Sequence, residues 1–111
     1  MNLLEETLRD IHEAGLNEND IRFIKVTNNQ YTSDEHTCFI SFETFKRYAN
    51  DYYDSGYGLE YVNPSMIIYF NDGSVMFRET YDGSEWWRVI KSIDSDVELS
   101  DNAEIWINRG F

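Results

Sequence analysis

The sequence has one cysteine and few cationic residues, and each of these two shortages excludes a class of protein. A single thiol, Cys38, cannot close an internal disulfide, which excludes a disulfide-stapled scaffold and favours a reducing compartment. No apolar run approaches the roughly 18 residues of a membrane span, and the N-terminus carries acids where a signal peptide needs basic residues. We therefore expect a cytoplasmic chain that is neither exported nor inserted in a membrane.

Negative charge dominates what is present. The 9 Lys and Arg residues stand against 21 Asp and Glu residues, which gives a net charge of -12. Such a charge repels phosphate backbones and anionic lipids, so we expect no direct binding to nucleic acid or membranes and expect a basic protein as partner. The charge also exceeds the magnitude of about 2 to 8 that solubility alone requires of a small domain.

Two helices and two strands are predicted in the first half of the chain. Apolar residues at helical spacing predict a first helix that Gly15 ends. Its buried stripe consists of Leu4, Leu8 and Ile11. Strands are predicted over Ile21 to Thr27 and His36 to Ile40, and a second helix from Phe42 to Asp54 with Ser41 as its N-cap. The buried stripe of this second helix consists of Phe42, Phe45, Ala49 and Tyr52.

The second half predicts an antiparallel meander. Two Asp-Gly dipeptides separate three apolar, aromatic runs, and Asp-Gly is the strongest short hairpin signal because glycine accepts a positive φ. The runs are Met66 to Phe70, Ser74 to Tyr81 and Glu85 to Lys91. Glu104 to Asn108 predicts a final strand, with Trp106 on the face opposite to Ile105 and Ile107. We therefore predict one α+β domain over residues 1–111: a single antiparallel sheet with two helices packed on one face.

Motifs for catalysis or metal binding are absent from the sequence. It has no glycine-rich phosphate loop and no G-x-S-x-G, H-E-x-x-H or C-x-x-C motif. His36 and Cys38 share a strand face, but a zinc site needs four ligands and His12 lies on the first helix. We expect no metal, no cofactor and no enzymatic activity. The alternative is a small enzyme with a carboxylate pair, such as Glu79 with Glu85.

The acids are densest near the C-terminal end. Residues 94–104 hold five acids and no Lys or Arg, and an extended backbone would present three of them on one side, about 6.6 Å apart. That spacing is comparable to the repeat of DNA phosphates, which suggests that the carboxylates mimic a DNA strand. A turn or solubility role explains any single acid, so the prediction rests on the group. The predicted partner-binding acids are Asp94, Asp96, Glu98, Asp101 and Glu104, followed by the hairpin acids Asp72, Glu79, Asp82 and Glu85.

Aromatic residues extend this predicted surface. Trp86 and Trp87 point to opposite faces of one strand, so a sheet covered on one side leaves one indole on its open face. An exposed tryptophan among acids is typical of a contact surface for a basic protein, so Trp86 joins the predicted partner-binding residues. The alternative is that helices or a homodimer partner cover both faces.

The stretch Ile68 to Lys91, and above all Tyr81 to Trp87 (YDGSEWW), resembles a hairpin of small proteins from bacterial phages and mobile elements. With its size and acidity, the chain is similar to anti-CRISPR and anti-restriction proteins, many of which occupy the DNA-binding surface of a nuclease. The resemblance implies a non-enzymatic inhibitor that acts in the bacterial cytoplasm and blocks the nucleic-acid channel of a defence nuclease. The alternative is an immunity or antitoxin protein that neutralises a cationic nuclease toxin, because it needs similar charge and size.

Overall fold

Five strands form one antiparallel sheet. A computed structural model of the chain describes residues 1–54, 61–93 and 97–107. Its strands are β1 (Ile21–Asn28), β2 (His36–Ile40), β3 (Ile67–Phe70), β4 (Val75–Tyr81) and β5 (Ser84–Ile90). Their order in the sheet is β2-β1-β3-β4-β5. Two α-helices, α1 (Leu3–Glu13) and α2 (Phe42–Ala49), complete the regular structure of the described residues apart from one short 3-10 turn. The α+β class with a single sheet is confirmed.

Both helices pack on the same face of this sheet. Five apolar residues, one from each strand, lie side by side across that face: Ile40, Ile24, Ile68, Met76 and Val89. Ile11 of α1 and Phe45 and Ala49 of α2 belong to the same core. Removal of this apolar area from water, at roughly 25 cal/mol per Å², is the main force that holds helices to sheet.

Helix α1 ends as the sequence predicts. Gly15 has a φ of 74°, its N–H donates to the His12 carbonyl, and the Leu16 N–H donates to the Ile11 carbonyl. This pair of bonds is the Schellman motif, which favours glycine at the left-handed position. The predicted buried stripe is only partly right. Ile11 is buried, but Leu4 and Leu8 are half-buried, and the helix face that meets the sheet includes Glu6 and Thr7.

Helix α2 begins at its predicted N-cap, where the Ser41 hydroxyl accepts from the Thr44 N–H, but it ends earlier than predicted. The chain leaves the helix after Ala49 because the next residues pair with the N-terminus. The Leu3 N–H donates to the Asp51 carbonyl and the Tyr53 N–H to the Met1 carbonyl. In this extended stretch Tyr52 turns outward and is 74% exposed, so its prediction as a buried residue was wrong.

Both Asp-Gly hairpins are present. Gly73 has a φ of 93° in the turn between β3 and β4, and Asp82 and Gly83 have φ values of 51° and 83° in the turn between β4 and β5. Positive φ at two consecutive residues gives the turn a twist that matches the flanking strands. The strands of the meander agree with the predicted runs to within one residue at either end.

The predicted final strand is absent. Residues 104–107 form neither strand nor helix, and Asn108 lies outside the described residues. Ile105, Trp106 and Ile107 are all exposed. The alternating pattern satisfies side-chain periodicity, but a strand also needs a neighbour for its backbone groups, and residues 104–107 pair with none of the five strands.

Candidate functional site

The second face of the sheet carries neither of the two described helices, and we call it the open face. A row of side chains crosses all five strands there: Phe39, Lys25, Ile67, Phe77 and Arg88. A second row consists of Phe23, Tyr69, Val75 and Ile90. Every one of these side chains is half-buried or exposed. Large contiguous apolar patches are typical of interaction surfaces, so this face is a candidate for one.

Aromatic rings on the open face contact one another. The Phe23 ring lies 5.1 Å from the Phe39 ring in an edge-to-face arrangement and 5.1 Å from the Tyr69 ring. Trp86 lies on the same face, in register with Glu79, whereas Trp87 is buried under the helices. Trp86 is therefore the tryptophan that the uncovered side of the sheet presents.

Exposed acids gather at one end of the sheet. The Asn71 N–H donates to the Asp20 carbonyl at 2.8 Å, which joins the 3-10 turn Glu18–Asp20 to the turn between β3 and β4. Glu18, Asp20 and Asp72 therefore lie at the same end, which we call the acidic end, and all are exposed. Asp82 lies in the turn at the opposite end of β4.

The chain after β5 leaves from the acidic end. The Ser92 N–H donates to the Ser74 hydroxyl, beside the turn that holds Asp72. Residues 97–107, which we call the C-terminal segment, lack helix and strand. Three predicted acids, Glu98, Asp101 and Glu104, are exposed on this segment, and Asp94 and Asp96 lie outside the described residues.

Two hairpin acids have specific local partners. Asp72 Oδ1 accepts the Ser74 N–H at 2.8 Å, and this bond lowers the pKa of the Asp72 carboxyl below its usual 3.8. The carboxylate therefore orders the turn, as the turn explanation of single acids predicts. Glu79 Oε2 lies 3.9 Å from Arg88 Nη1 on the open face. An exposed ion pair at that distance contributes little to the stability of the folded protein.

Glu85 is not a surface acid, which corrects its prediction as a partner-binding residue. It is 4% exposed, and its carboxylate accepts from Arg78 Nη2 at 3.1 Å. It also accepts from the backbone N–H groups of Tyr61 and Val62 at 2.8 and 3.1 Å. Glu85 faces the helices because it alternates in phase with the buried Trp87.

Arg78 is the centre of a buried ionic network with Glu6, Glu85 and Tyr53. Arg78 Nη1 donates to Glu6 Oε2 at 3.3 Å, Arg78 Nη2 donates to the Tyr53 hydroxyl at 3.2 Å, and that hydroxyl donates to Glu6 Oε1 at 2.5 Å. The guanidinium also lies 4.9 Å from the centroid of the Trp87 ring. The network joins α1, β4, β5 and the chain after α2 beneath the surface, and the sequence analysis did not identify it.

Tyr53 should make the protein less stable as the pH becomes alkaline. Burial first, and the hydrogen bond to Glu6 second, raise the pKa of the Tyr53 hydroxyl above its usual 10.0. A folded-state pKa above the unfolded value gives stabilisation that is complete below the unfolded pKa and is lost as pH rises through the folded pKa. We expect Tyr53→Phe to destabilise the protein by about 1 to 2 kcal/mol at neutral pH because its hydrogen bonds are lost.

Thermal melts of the wild type and of Tyr53→Phe from neutral to alkaline pH measure the loss of stability in the variant. The deficit of the variant should be constant below the unfolded pKa and should shrink above it. A deficit that stays the same to the alkaline limit would show that the hydroxyl proton has no part in stability.

The fold does not bring together Glu79 and Glu85, the carboxylate pair that the enzymatic alternative requires. Glu79 is in register with Trp86 on the open face, whereas Glu85 is in register with Thr80 on the covered face. Within residues 1–54, 61–93 and 97–107, no three His, Cys, Asp or Glu side chains converge as metal ligands. His36 and Cys38 each contact the Asn28 side-chain amide. Neither described helix is long and apolar enough to cross a membrane.

No protein-family model matches the chain, and no curated protein or solved structure matches it.

Proposed function

We propose that the protein is a non-enzymatic inhibitor that binds the basic nucleic-acid channel of a bacterial defence nuclease. The observation that carries this proposal is the exposed C-terminal segment, which has three carboxylates, no Lys or Arg, and an exposed Trp106. Acids supply long-range attraction to a cationic surface, and a large aromatic side chain supplies contact area once the surfaces meet. The hairpin resembles one of small phage and mobile-element proteins, and together with the size and acidity of the chain this likeness to anti-CRISPR and anti-restriction proteins supports the same proposal.

The arrangement of ion pairs supports an acidic outer surface. Several cations are neutralised by neighbouring acids: Arg78 inside the buried network, Arg9 by Asp10 at 3.2 Å, and Lys46 by Glu43 at 2.8 Å. The acids of the acidic end and of the C-terminal segment are all exposed, and the chain leaves the sheet at the acidic end through Ser92. A basic channel would meet this series of carboxylates where it normally meets phosphates.

Inhibition in this account is steric. A nuclease channel is lined by Lys and Arg that contact phosphates and thereby release the counterions condensed on the nucleic acid, and carboxylates can contact the same cationic groups. Occupation of the channel excludes guide or target nucleic acid, so the inhibitor needs no catalytic residue. Its affinity depends on charge complementarity, and its association rate rises with electrostatic attraction.

Binding to the target should depend strongly on salt. We expect the dissociation constant to rise at least roughly tenfold between about 0.05 M and about 0.5 M NaCl, because exposed charges are screened over a Debye length of a few Å at the higher salt. The assay measures binding of the purified chain to a panel of purified bacterial nucleases: RNA-guided nucleases, restriction endonucleases and cationic nuclease toxins.

The panel separates the two proposed target classes. Binding to an RNA-guided or restriction nuclease supports the defence-inhibitor function, and binding to a toxin alone establishes the immunity alternative. Affinity that is unchanged by salt would contradict an acidic contact surface for either class.

A further inference from the structure

The open face has a local charge opposite to that of the whole protein. Lys25 and Arg88 lie in the row that crosses all five strands, and Glu79 is the one carboxylate that the five strands place on this face. Arg22, at the β-bulge between Ile21 and Phe23, adds its guanidinium 5.3 Å from the Phe23 ring centroid. A chain with a net charge of -12 thus concentrates cations among aromatic rings that are half-buried or exposed. Such a face does not suit the basic partner proposed above.

The C-terminal segment has the complementary character. It carries Glu98, Asp101 and Glu104 and no cation. Its five large apolar side chains are between 61% and 94% exposed: Val97, Leu99, Ile105, Trp106 and Ile107. Burial of large apolar side chains is favourable, so a segment with five of them is stabilised by an apolar surface that covers them.

We propose that two copies of the chain associate by placing the C-terminal segment of each on the open face of the other. The apolar side chains of the segment would cover the aromatic rings, and its carboxylates would meet Lys25 and Arg88. A second copy is the occupant because the segment of the same chain leaves its own Ile105, Trp106 and Ile107 exposed. Reciprocal exchange gives a closed dimer with twofold symmetry, the commonest form of homo-oligomer.

The dimer is tested with the purified 111-residue chain alone, so the result is independent of the proposed nuclease target. Sedimentation equilibrium over about 1 to 500 μM should give a mass of twice 13.2 kDa at the upper concentrations. Trp106→Ser and Lys25→Glu should each weaken the dimer at least tenfold. The control Tyr48→Ser alters an exposed side chain on α2, away from the open face, and should leave the dimer unchanged.

A charge exchange separates a direct contact from a loss of folding. In the double variant Lys25→Glu with Glu104→Lys, opposite charges again face each other between copies, and dimerisation should recover at least in part. Melting temperatures of all variants, measured at concentrations at which the wild type is monomeric, should stay close to that of the wild type, because the altered side chains are not buried.

Three results would overturn the proposal. They are a wild type that is monomeric throughout the range, a dimer that resists both Trp106→Ser and Lys25→Glu, and a dimer that responds to Lys25→Glu but not to Trp106→Ser. The last result would mean that the open faces pair directly, without the C-terminal segment.

Discussion

Replacing Arg78 by methionine is expected to destabilise the protein by about 3 to 5 kcal/mol, because the variant leaves Glu6 and Glu85 buried without their cation. Both carboxylates are at most 3% exposed at the side chain, so water cannot take the place of the guanidinium. The contact of the guanidinium with the Trp87 ring is lost as well. For a domain whose total stability is about 5 to 15 kcal/mol, such a loss brings the chain close to unfolding. Urea denaturation at neutral pH measures it.

Arg9→Met is the matched control for this prediction. Arg9 also pairs with a carboxylate, Asp10 at 3.2 Å, but its side chain is 50% exposed. We expect a change within about 0.5 kcal/mol, since exposed ion pairs contribute little. Equal losses in the two variants would show that the buried network does not stabilise the fold more than a surface pair.

Reversing two acids of the C-terminal segment is expected to produce the largest loss of target binding. Glu98→Lys with Asp101→Lys should weaken binding by about 2 kcal/mol or more, roughly thirtyfold, because cationic side chains would then face a cationic channel. The melting temperature should change little, since both residues are exposed. Binding to the nuclease identified from the panel is measured by titration calorimetry.

Glu5→Lys with Glu13→Lys is the control pair. Both residues are exposed on α1, and this pair changes the net charge by the same amount. Glu6 is unsuitable for such a control because it belongs to the buried network. Equal weakening by the two pairs would mean that total charge alone matters, and full binding by the first pair would remove the C-terminal segment from the interface.

Local signals in the sequence were sufficient for the meander. The turns at Gly73 and Gly83 need positive φ, and an Asp-Gly dipeptide between apolar runs indicates this directly. Gly15 and Ser41 likewise mark helix ends through local backbone chemistry. These features depend on residues next to one another in the chain, so they can be recognised without the fold.

Features that depend on distant residues were missed. The end of α2 depends on backbone pairing with residues 1–3, and residues 104–107 form no strand because they pair with none of the five strands. The buried network was missed because charged residues were assigned to the surface. The alternating pattern contained the signal, since Arg78 lies two residues from buried Met76 and Glu85 two residues from buried Trp87.

The two proposals share the carboxylates of the C-terminal segment. Glu98, Asp101 and Glu104 would meet a nuclease channel in one complex and the open face of a second copy in the other. A nuclease that binds these acids would therefore separate the dimer, and self-association would hold the segment on an apolar surface until the target is met.

Competition with nucleic acid shows whether the inhibitor occupies the nuclease channel. The nuclease from the panel is titrated with a fluorescent DNA duplex that carries its recognition sequence, at several inhibitor concentrations. An inhibitor in the channel raises the apparent dissociation constant of the DNA linearly with its own concentration, and excess DNA displaces it. DNA that binds the inhibitor-nuclease complex as tightly as it binds the free nuclease would contradict occupation of the channel.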